Sequence, residues 1–166
     1  MPEQPPEIVI SNTSPLFYLH RAGYLDLLRQ LYGRIHVTPH IITEMKAGSP
    51  DDADVPSLTD IPWITERTIA IPPSFCLIPD LGEGEASVIA LAMDAGTRAL
   101  LILDDRLARR IAASHRLRVT GTAGVLLRAK QASLIGNVRR ILAQLRNKGF
   151  YLKPEHFERV CRMAGE

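Results

Sequence analysis

The sequence predicts an α/β fold built on a parallel sheet, and two observations support that class. Segments typical of strands alternate with segments typical of helices along the whole chain, which is the pattern of a parallel sheet with right-handed crossovers. Residues 99–103 form a continuous apolar run of strand length, as expected for a strand covered on both faces. The 166 residues contain no repeat or linker. We therefore predict a single domain over residues 1–166, with residues 1–7 as a flexible tail.

In the first half of the chain, short apolar runs are followed by helices that begin at capping residues. Ser14 followed by Pro15 is typical of an N-cap and a first helical turn, and Thr38-Pro39 repeats that pattern. The predicted elements are a strand over 8–10, helices ending near 23 and over 24–32, a strand over 35–37, a helix from 38 to about 48, a loop over 49–62 and an edge strand over 63–71.

In the second half, the best-defined helix lies between Gly82 and Gly96. The remaining predicted elements are the strand over 99–103, a basic helix over 106–116, a strand over 117–119 and helices over 123–132, 138–148 and 154–163. In open sheets of this class, ligands bind beyond the carboxyl ends of the strands. Asn12 and the pair Asp104-Asp105 follow two predicted strands, so these residues are expected at that edge.

The charge of the chain is uneven. Residues 1–100 contain 6 basic and 13 acidic side chains, whereas residues 101–166 contain 14 and 5. This pattern fits either an ordinary lopsided surface or an acidic site beside a basic surface that attracts a polyanion. No apolar run approaches the ~20 residues of a membrane span, and the acidic, Pro-rich start is unlike a signal peptide. We expect a cytoplasmic protein in which Cys76 and Cys161 are free thiols.

Carboxylates that follow or line the apolar runs are the most informative feature of the sequence. They are Glu44, Glu85, Asp104 and Asp105, with Asn12 as a further polar position after the first run. Acidic side chains gathered at one sheet edge repel one another unless a cation neutralises them. The pattern therefore predicts a site for a hard divalent metal ion, although each residue taken alone also fits a surface or capping role.

Glu85 is the strongest single candidate. Val88, Ile89 and Ala92 follow it at helical spacing, so its side chain is aligned with the apolar face of the helix. A carboxylate on that face needs a compensating partner. Glu83 aligns with a more polar face and fits a role at the helix start. Asp104 and Asp105 cannot face the same way on a strand, and the pattern alone does not decide which one enters the site and which caps the next helix.

Other polar residues are candidates for contacts with water or phosphate. Thr13 and Ser14 are placed to hold a metal-bound water, although Ser14 also fits the helix cap. Thr122, in the run 120–122, lies at a helix start where a phosphate can bind, although this run also fits a simple cap and tight turn. Arg106, with Arg109 and Arg110, fits either a solvated face or a phosphate-positioning group. The five histidines show no metal-ligand spacing, and none is assigned to chemistry.

Five motifs in the same order resemble the PIN domain superfamily, in particular small prokaryotic PIN proteins of the VapC-like and domain-of-unknown-function branches. The resemblance covers residues 8–157, and its motifs are ISNTSPL at 10–16, TP at 38–39 with Glu44, LGEGEA at 81–86, LDDR at 103–106, and TGT at 120–122 with AK at 129–130. It implies a three-layer fold with a five-stranded parallel sheet of order 3-2-1-4-5, flanked by helices.

The resemblance also implies a function and a set of site residues. It implies a Mg²⁺- or Mn²⁺-dependent endoribonuclease that acts as the toxin of a type II toxin–antitoxin pair, with an RNA substrate, a homodimeric state and a cognate antitoxin as partner. The family's four acidic positions match Asn12, Glu44, Glu85 and Asp105, with Asp104 adjacent. The family has Asp where this chain has Asn12, so one charge is lost.

Two other functions fit parts of the pattern. A catalytically degenerate PIN domain would act as an RNA- or protein-binding module, and Asn12 is the residue that suggests it. A phosphoacceptor signalling domain also gathers acidic residues at strand ends. That class places its acidic pair after the first strand, whereas here the first strand is followed by Asn12 and the pair comes late.

Overall fold

Five parallel strands form the centre of the computed structural model, which describes residues 4–48 and 54–166. Residues 1–3 of the predicted tail and residues 49–53 of the predicted loop lie outside that description. The strand order is β3-β2-β1-β4-β5, as predicted. The strands are β1 (Ile8–Ser11), β2 (Ile35–Val37), β3 (Ile64–Glu66), β4 (Ala99–Ile102) and β5 (Arg118–Thr120).

Helices pack around this sheet in two groups. The described helices are α1 (Thr13–Arg21), α2 (Asp26–Tyr32), α3 (Pro39–Ala47), α4 (Glu83–Ala95), α5 (Arg106–Ser114), α6 (Thr122–Gln131), α7 (Val138–Asn147) and α8 (Pro154–Met163). Helices α4 and α5 contact each other and the strands β4 and β5, while α2, α6, α7 and α8 form the other group. The chain moves from β1 to β2 and β3 in one direction and then crosses to β4 and β5 on the other side of β1, so right-handed crossovers place the two groups on opposite faces.

The core lies along β1 and β4, the central strands. All four residues of β4 are buried, which agrees with the continuous apolar run that predicted this strand. Strand β1 pairs with β4 over its whole length, from Ile8 opposite Ala99 to Ser11 opposite Ile102. Burying one large aliphatic side chain contributes roughly 1.5–3 kcal/mol. This pairing fixes the positions of Asn12 and Asp104, which follow the two strands.

Several element ends differ from the sequence prediction, and three of these differences concern the sheet edge and the candidate site. Strand β3 covers three residues instead of 63–71, because its partner among the described strands, β2, ends where Thr38 caps α3. Helix α1 begins at Thr13, so Asn12 and not Ser14 occupies the N-cap position. Helix α6 begins at Thr122 instead of residue 123. None of the helices in the described part of the chain is long and apolar enough to cross a membrane.

Candidate active site

Asn12 lies at the centre of the polar edge of the sheet. Its backbone N–H donates to Ile102 O at 3.0 Å, which ties the end of β1 to the end of β4. The side chain is buried, and its Nδ2 donates to Glu85 Oε1 at 3.3 Å. Its Oδ1 is also buried and accepts no hydrogen bond from the described residues. A buried carbonyl oxygen without a donor costs about 1–3 kcal/mol, so this oxygen is available to a ligand or a water.

Glu85 reaches Asn12 from the first turn of α4. The residue is partly buried, in agreement with its predicted alignment with the apolar face. Gly82 is the N-cap residue of this helix, and a Cβ at that position would clash with Glu85 Oε2. The absence of a side chain at residue 82 therefore leaves room for the Glu85 carboxylate to fold back over the helix start.

Glu44 is held beside these two residues by contacts from both sides. The Thr13 hydroxyl donates to its Oε2 at 2.6 Å, and the Gly84 N–H donates to its Oε1 at 3.1 Å. A Cβ on Gly84 would clash with the carboxylate, so a glycine is required for this close approach. A cleft of about 210 Å³ opens on the other side of Glu44, next to His40 and Glu83.

Asp104 forms the second half of the polar edge. Its Oδ1 accepts the Thr122 N–H at 2.8 Å, and its Oδ2 accepts the Thr122 hydroxyl at 2.6 Å and the Ser14 hydroxyl at 3.4 Å. Burial raises the pKa of Asp104, while the hydrogen bonds from Thr122 and the charge of Arg109 oppose that shift. Arg109 is held nearby, because it donates to Leu103 O at 2.7 Å.

Asp105 takes a different role from its neighbour. It is exposed, and its Oδ1 caps α5 by accepting the Ala108 N–H at 2.8 Å. The resemblance matches Asp105 to the family's last acidic position, yet Asp104 is the residue whose carboxylate contacts Ser14 and Thr122. Strand β4 ends at Ile102, so strand alternation does not extend to these two residues and could not have decided between them.

The remaining predicted residues are divided between the site and the surface. Thr13, Ser14 and Thr122 each hydrogen-bond a carboxylate of the site. Arg106 is exposed at the start of α5. Two contributing residues were not predicted, Gly82 and Gly84, and the only sequence signal for them is the alternation of glycine and glutamate over residues 82–85.

The carboxylates surround Asn12 but do not form a compact cage. Glu44 and Glu85 are linked through Gly84 and Asn12, whereas Asp104 is linked to them through the adjacent residues Thr13 and Ser14. Within residues 4–48 and 54–166, no three His, Cys, Asp or Glu side chains are close enough together to hold a metal ion by themselves. The edge thus offers oxygen ligands with space between them.

Comparison with known proteins identifies the family. A family model described as "DUF3368: PIN domain" matches residues 8–166, nearly the whole chain. No curated protein and no solved structure gives a significant match. The model covers far more than half of the sequence, and the strand order and the polar sheet edge agree with the fold expected from the resemblance. The chain belongs to the PIN domain superfamily.

Proposed function

We propose that this protein is a metal-dependent ribonuclease that hydrolyses RNA phosphodiester bonds. PIN domains are generally nucleases, so the family provides the reaction class. The observation that carries the proposal is the buried Asn12 Oδ1, which has no donor among the described residues. Its side chain contacts Glu85, and the next two residues of the chain hold Glu44 and Asp104. A metal-dependent centre for phosphate chemistry uses oxygen ligands of this kind.

The side chains at this edge fit Mg²⁺ or Mn²⁺. Every available ligand atom is an oxygen, which hard divalent cations prefer. Mg²⁺ usually retains several waters and needs only one or two carboxylates, so a spaced arrangement is compatible with it. Asn12 Oδ1 and Glu85 would provide direct ligands, and Asp104 and Glu44 would act directly or through water. The bound metal would activate a water and relieve charge at the phosphate.

Each neighbouring residue has a role in this proposal. Thr13 and the Gly84 N–H fix the orientation of Glu44, and Thr122 and Ser14 fix that of Asp104. The negative charge of this edge means that a phosphate needs positive charge nearby. Arg109 and the exposed Arg106 lie at the start of α5, next to Asp104, and would position the RNA backbone.

A single-stranded or looped RNA is the substrate class that we propose. The proposed ligand oxygens lie between helix starts and strand ends, where an unpaired backbone can bend towards them. Aromatic residues form only 5% of the chain, so extensive base stacking is not expected to select the sequence.

Cleavage of pooled RNA with Mn²⁺ tests this function. We expect cleavage that EDTA abolishes, and a loss of about 10²-fold or more in Glu85→Gln, because the change removes a charged ligand without altering side-chain size. Glu83→Gln is the matched control, since Glu83 is exposed on the same helix turn. Undiminished cleavage by Glu85→Gln would refute the assignment.

A second candidate function is a catalytically degenerate module that binds RNA or protein. Asn12 favours it, because an amide replaces the carboxylate expected at this position, and its Nδ2 already satisfies Glu85 without a cation. Calorimetric titration with Mn²⁺ separates the two functions. Binding that is lost in Glu85→Gln supports the nuclease, whereas no binding at millimolar Mn²⁺ supports the degenerate module.

We also propose a biological role as the toxin of a type II toxin–antitoxin pair, with a homodimeric state and a cognate antitoxin. The family resemblance supports this role. Induced expression should arrest growth in the wild type and not in Glu85→Gln, and a small neighbouring gene should relieve the arrest. Growth arrest by both forms would separate the toxicity from the proposed chemistry.

A further inference from the structure

A groove beside the edge strand β5 contains a second group of polar side chains. It has a volume of about 340 Å³ and lies between α2, α6 and the strands β4 and β5. That volume is at the lower end of the range for ligand pockets, roughly 300–1,000 Å³. Its polar side chains are Tyr32, Arg118, Thr120, Arg128 and Gln131, and no Asp or Glu is among its described lining residues.

Two arginines give this groove a positive charge. Arg128 lies over the Tyr32 ring, 5.6 Å from its centroid, and forms no ion pair with a described carboxylate. Stacking on a ring orients a guanidinium and leaves its N–H edge able to donate. Arg118 donates to the Gln4 carbonyl at 3.2 Å. Burial raises the pKa of Tyr32, so its hydroxyl stays protonated at neutral pH.

The groove adjoins the candidate active site. Thr120 and Gly124 line the groove, while the two residues that follow Thr120 face Asp104. Thr122 donates to Asp104, and a Cβ on Gly121 would lie 2.8 Å from Asp104 Oδ1. Two residues of extended chain span at most about 7 Å. The β5–α6 turn therefore joins the acidic edge to the near end of the groove. Arg128 lies six residues after Thr122 on α6, about 9 Å further along the helix axis, a distance that one RNA strand can cross.

We propose that this groove binds the sugar–phosphate backbone of single-stranded RNA next to the bond that is cleaved. Arg128 contacts a phosphate oxygen, and Thr120 and Gln131 hydrogen-bond the ribose hydroxyls. The inference rests on the proposed ribonuclease function and deepens it, because it assigns a path to the substrate on the β5 side of the acidic edge. The groove fixes the position of the strand and takes no part in the chemistry.

Binding of a short fluorescein-labelled single-stranded RNA in EDTA tests this inference without requiring cleavage. Arg128→Gln should weaken binding roughly fivefold and reduce the slope of log affinity against log salt by about 0.7, the value for one phosphate contact to a single strand. Arg159→Gln is the matched control, since Arg159 is exposed on α8, outside the groove, and carries the same charge. It should change affinity less than twofold.

A second variant distinguishes a loss of RNA binding from a folding defect. Gln131→Glu places a carboxylate in the groove at an exposed position, so it should weaken binding at least as much as Arg128→Gln while the melting temperature is retained. Equal affinity of Arg128→Gln, Gln131→Glu and the control, or no RNA binding by the wild type, would overturn the groove assignment. If the three variants bound RNA with equal affinity while the wild type still cleaved RNA with Mn²⁺, the groove assignment would be wrong and the nuclease function would be retained.

Discussion

Asn12 determines the electrostatic character of the site. An aspartate at this position would place a second carboxylate against Glu85 Oε1, where Asn12 Nδ2 now donates at 3.3 Å. Like charges at that separation repel unless a cation lies between them. The amide therefore lets the metal-free protein hold Glu85 in place, and the same substitution removes one charge that would attract the metal.

Asn12→Asp tests both effects of the amide, on the stability of the metal-free protein and on its affinity for the metal. We expect the variant to melt at a lower temperature than the wild type in EDTA, because two carboxylates then face each other. With Mn²⁺ we expect a larger rise in melting temperature and affinity roughly tenfold higher than in the wild type, because an additional anionic ligand is present. Thermal melting with and without Mn²⁺ measures both effects. If Mn²⁺ raised the melting temperature of the variant no more than that of the wild type, this role for residue 12 would be contradicted.

Gly84 is predicted to be necessary for the position of Glu44. Gly84→Ala should lower the free energy of unfolding by about 1 kcal/mol, because the added Cβ displaces the Glu44 carboxylate from the Gly84 N–H and the Thr13 hydroxyl, and this loss exceeds the gain in helix propensity. Gly136→Ala is the control, since no atom lies within 4 Å of the added Cβ and the backbone does not have positive φ. Urea unfolding of both variants measures the difference. A Gly84→Ala protein as stable as the control would show that Glu44 moves away at no cost.

Individual site residues were predictable where a local pattern constrained them. Glu85 was identified because Val88, Ile89 and Ala92 show which face of α4 is apolar. The contacts of Glu44 were not predictable, because they depend on how α3 packs against α4 and on a glycine distant in sequence. Asp104 and Asp105 stayed ambiguous because the chain leaves the strand before it reaches them.

At the scale of elements, the end of the chain stabilises the start of α7. Glu166 accepts the N–H groups of Val138 and Arg139 at 2.8 Å each, and Lys130 donates to it at 3.0 Å. Its carboxylate thus satisfies two N–H groups that have no partner inside the helix. These bonds lower the pKa of Glu166, the N–H of Arg139 contributing most.

Glu166→Gln should therefore destabilise the protein in a pH-dependent way. At pH 7 we expect a loss of about 0.5–1 kcal/mol, because the charge at the positive end of α7 disappears. The pKa of Glu166 in the folded protein lies below the ordinary value of 4.5, so its contribution is present above that value and is lost as the pH falls through the folded pKa.

Chemical unfolding at neutral and acidic pH checks this prediction. The stability difference between wild type and Glu166→Gln should shrink as the pH falls below about 4.5. Glu66→Gln, at an exposed residue of β3 away from any helix start, is the control, and at neutral pH it should cost less stability than Glu166→Gln. A difference that persists unchanged in acid would show that the charge of Glu166 does not stabilise α7.

At the scale of the whole molecule, the parallel sheet was predictable, whereas the length of β3 and the residues of the basic groove were not. The apolar run at 99–103 and the alternation of elements predict a parallel sheet, and the family resemblance provides its order. The short β3 was not predictable from residues 63–71, because its length is set by β2, a partner distant in sequence. The basic groove combines residues from α2, β5 and α6, which no local pattern relates.

At this scale, the uneven charge of the sequence corresponds to an acidic region and a basic region that lie side by side. The acidic residues Glu44 and Glu85 from the first part of the chain lie at the same sheet edge as Asp104, and Arg118 and Arg128 from the second part lie in the adjoining groove. A polyanion can therefore be held by the basic side while a cation is held by the acidic side.

Diffraction from crystals grown with Mn²⁺ tests the central claim most directly, because anomalous scattering locates the ion. The account predicts a peak at the polar edge, with Asn12 Oδ1 and Glu85 as direct ligands at about 2.0–2.2 Å and Asp104 bound directly or through water. A crystal of Glu85→Gln under the same conditions should lack it. A fully ordered edge without a peak at high Mn²⁺, or a peak only elsewhere on the molecule, would contradict the claim that these residues form a metal-dependent active site.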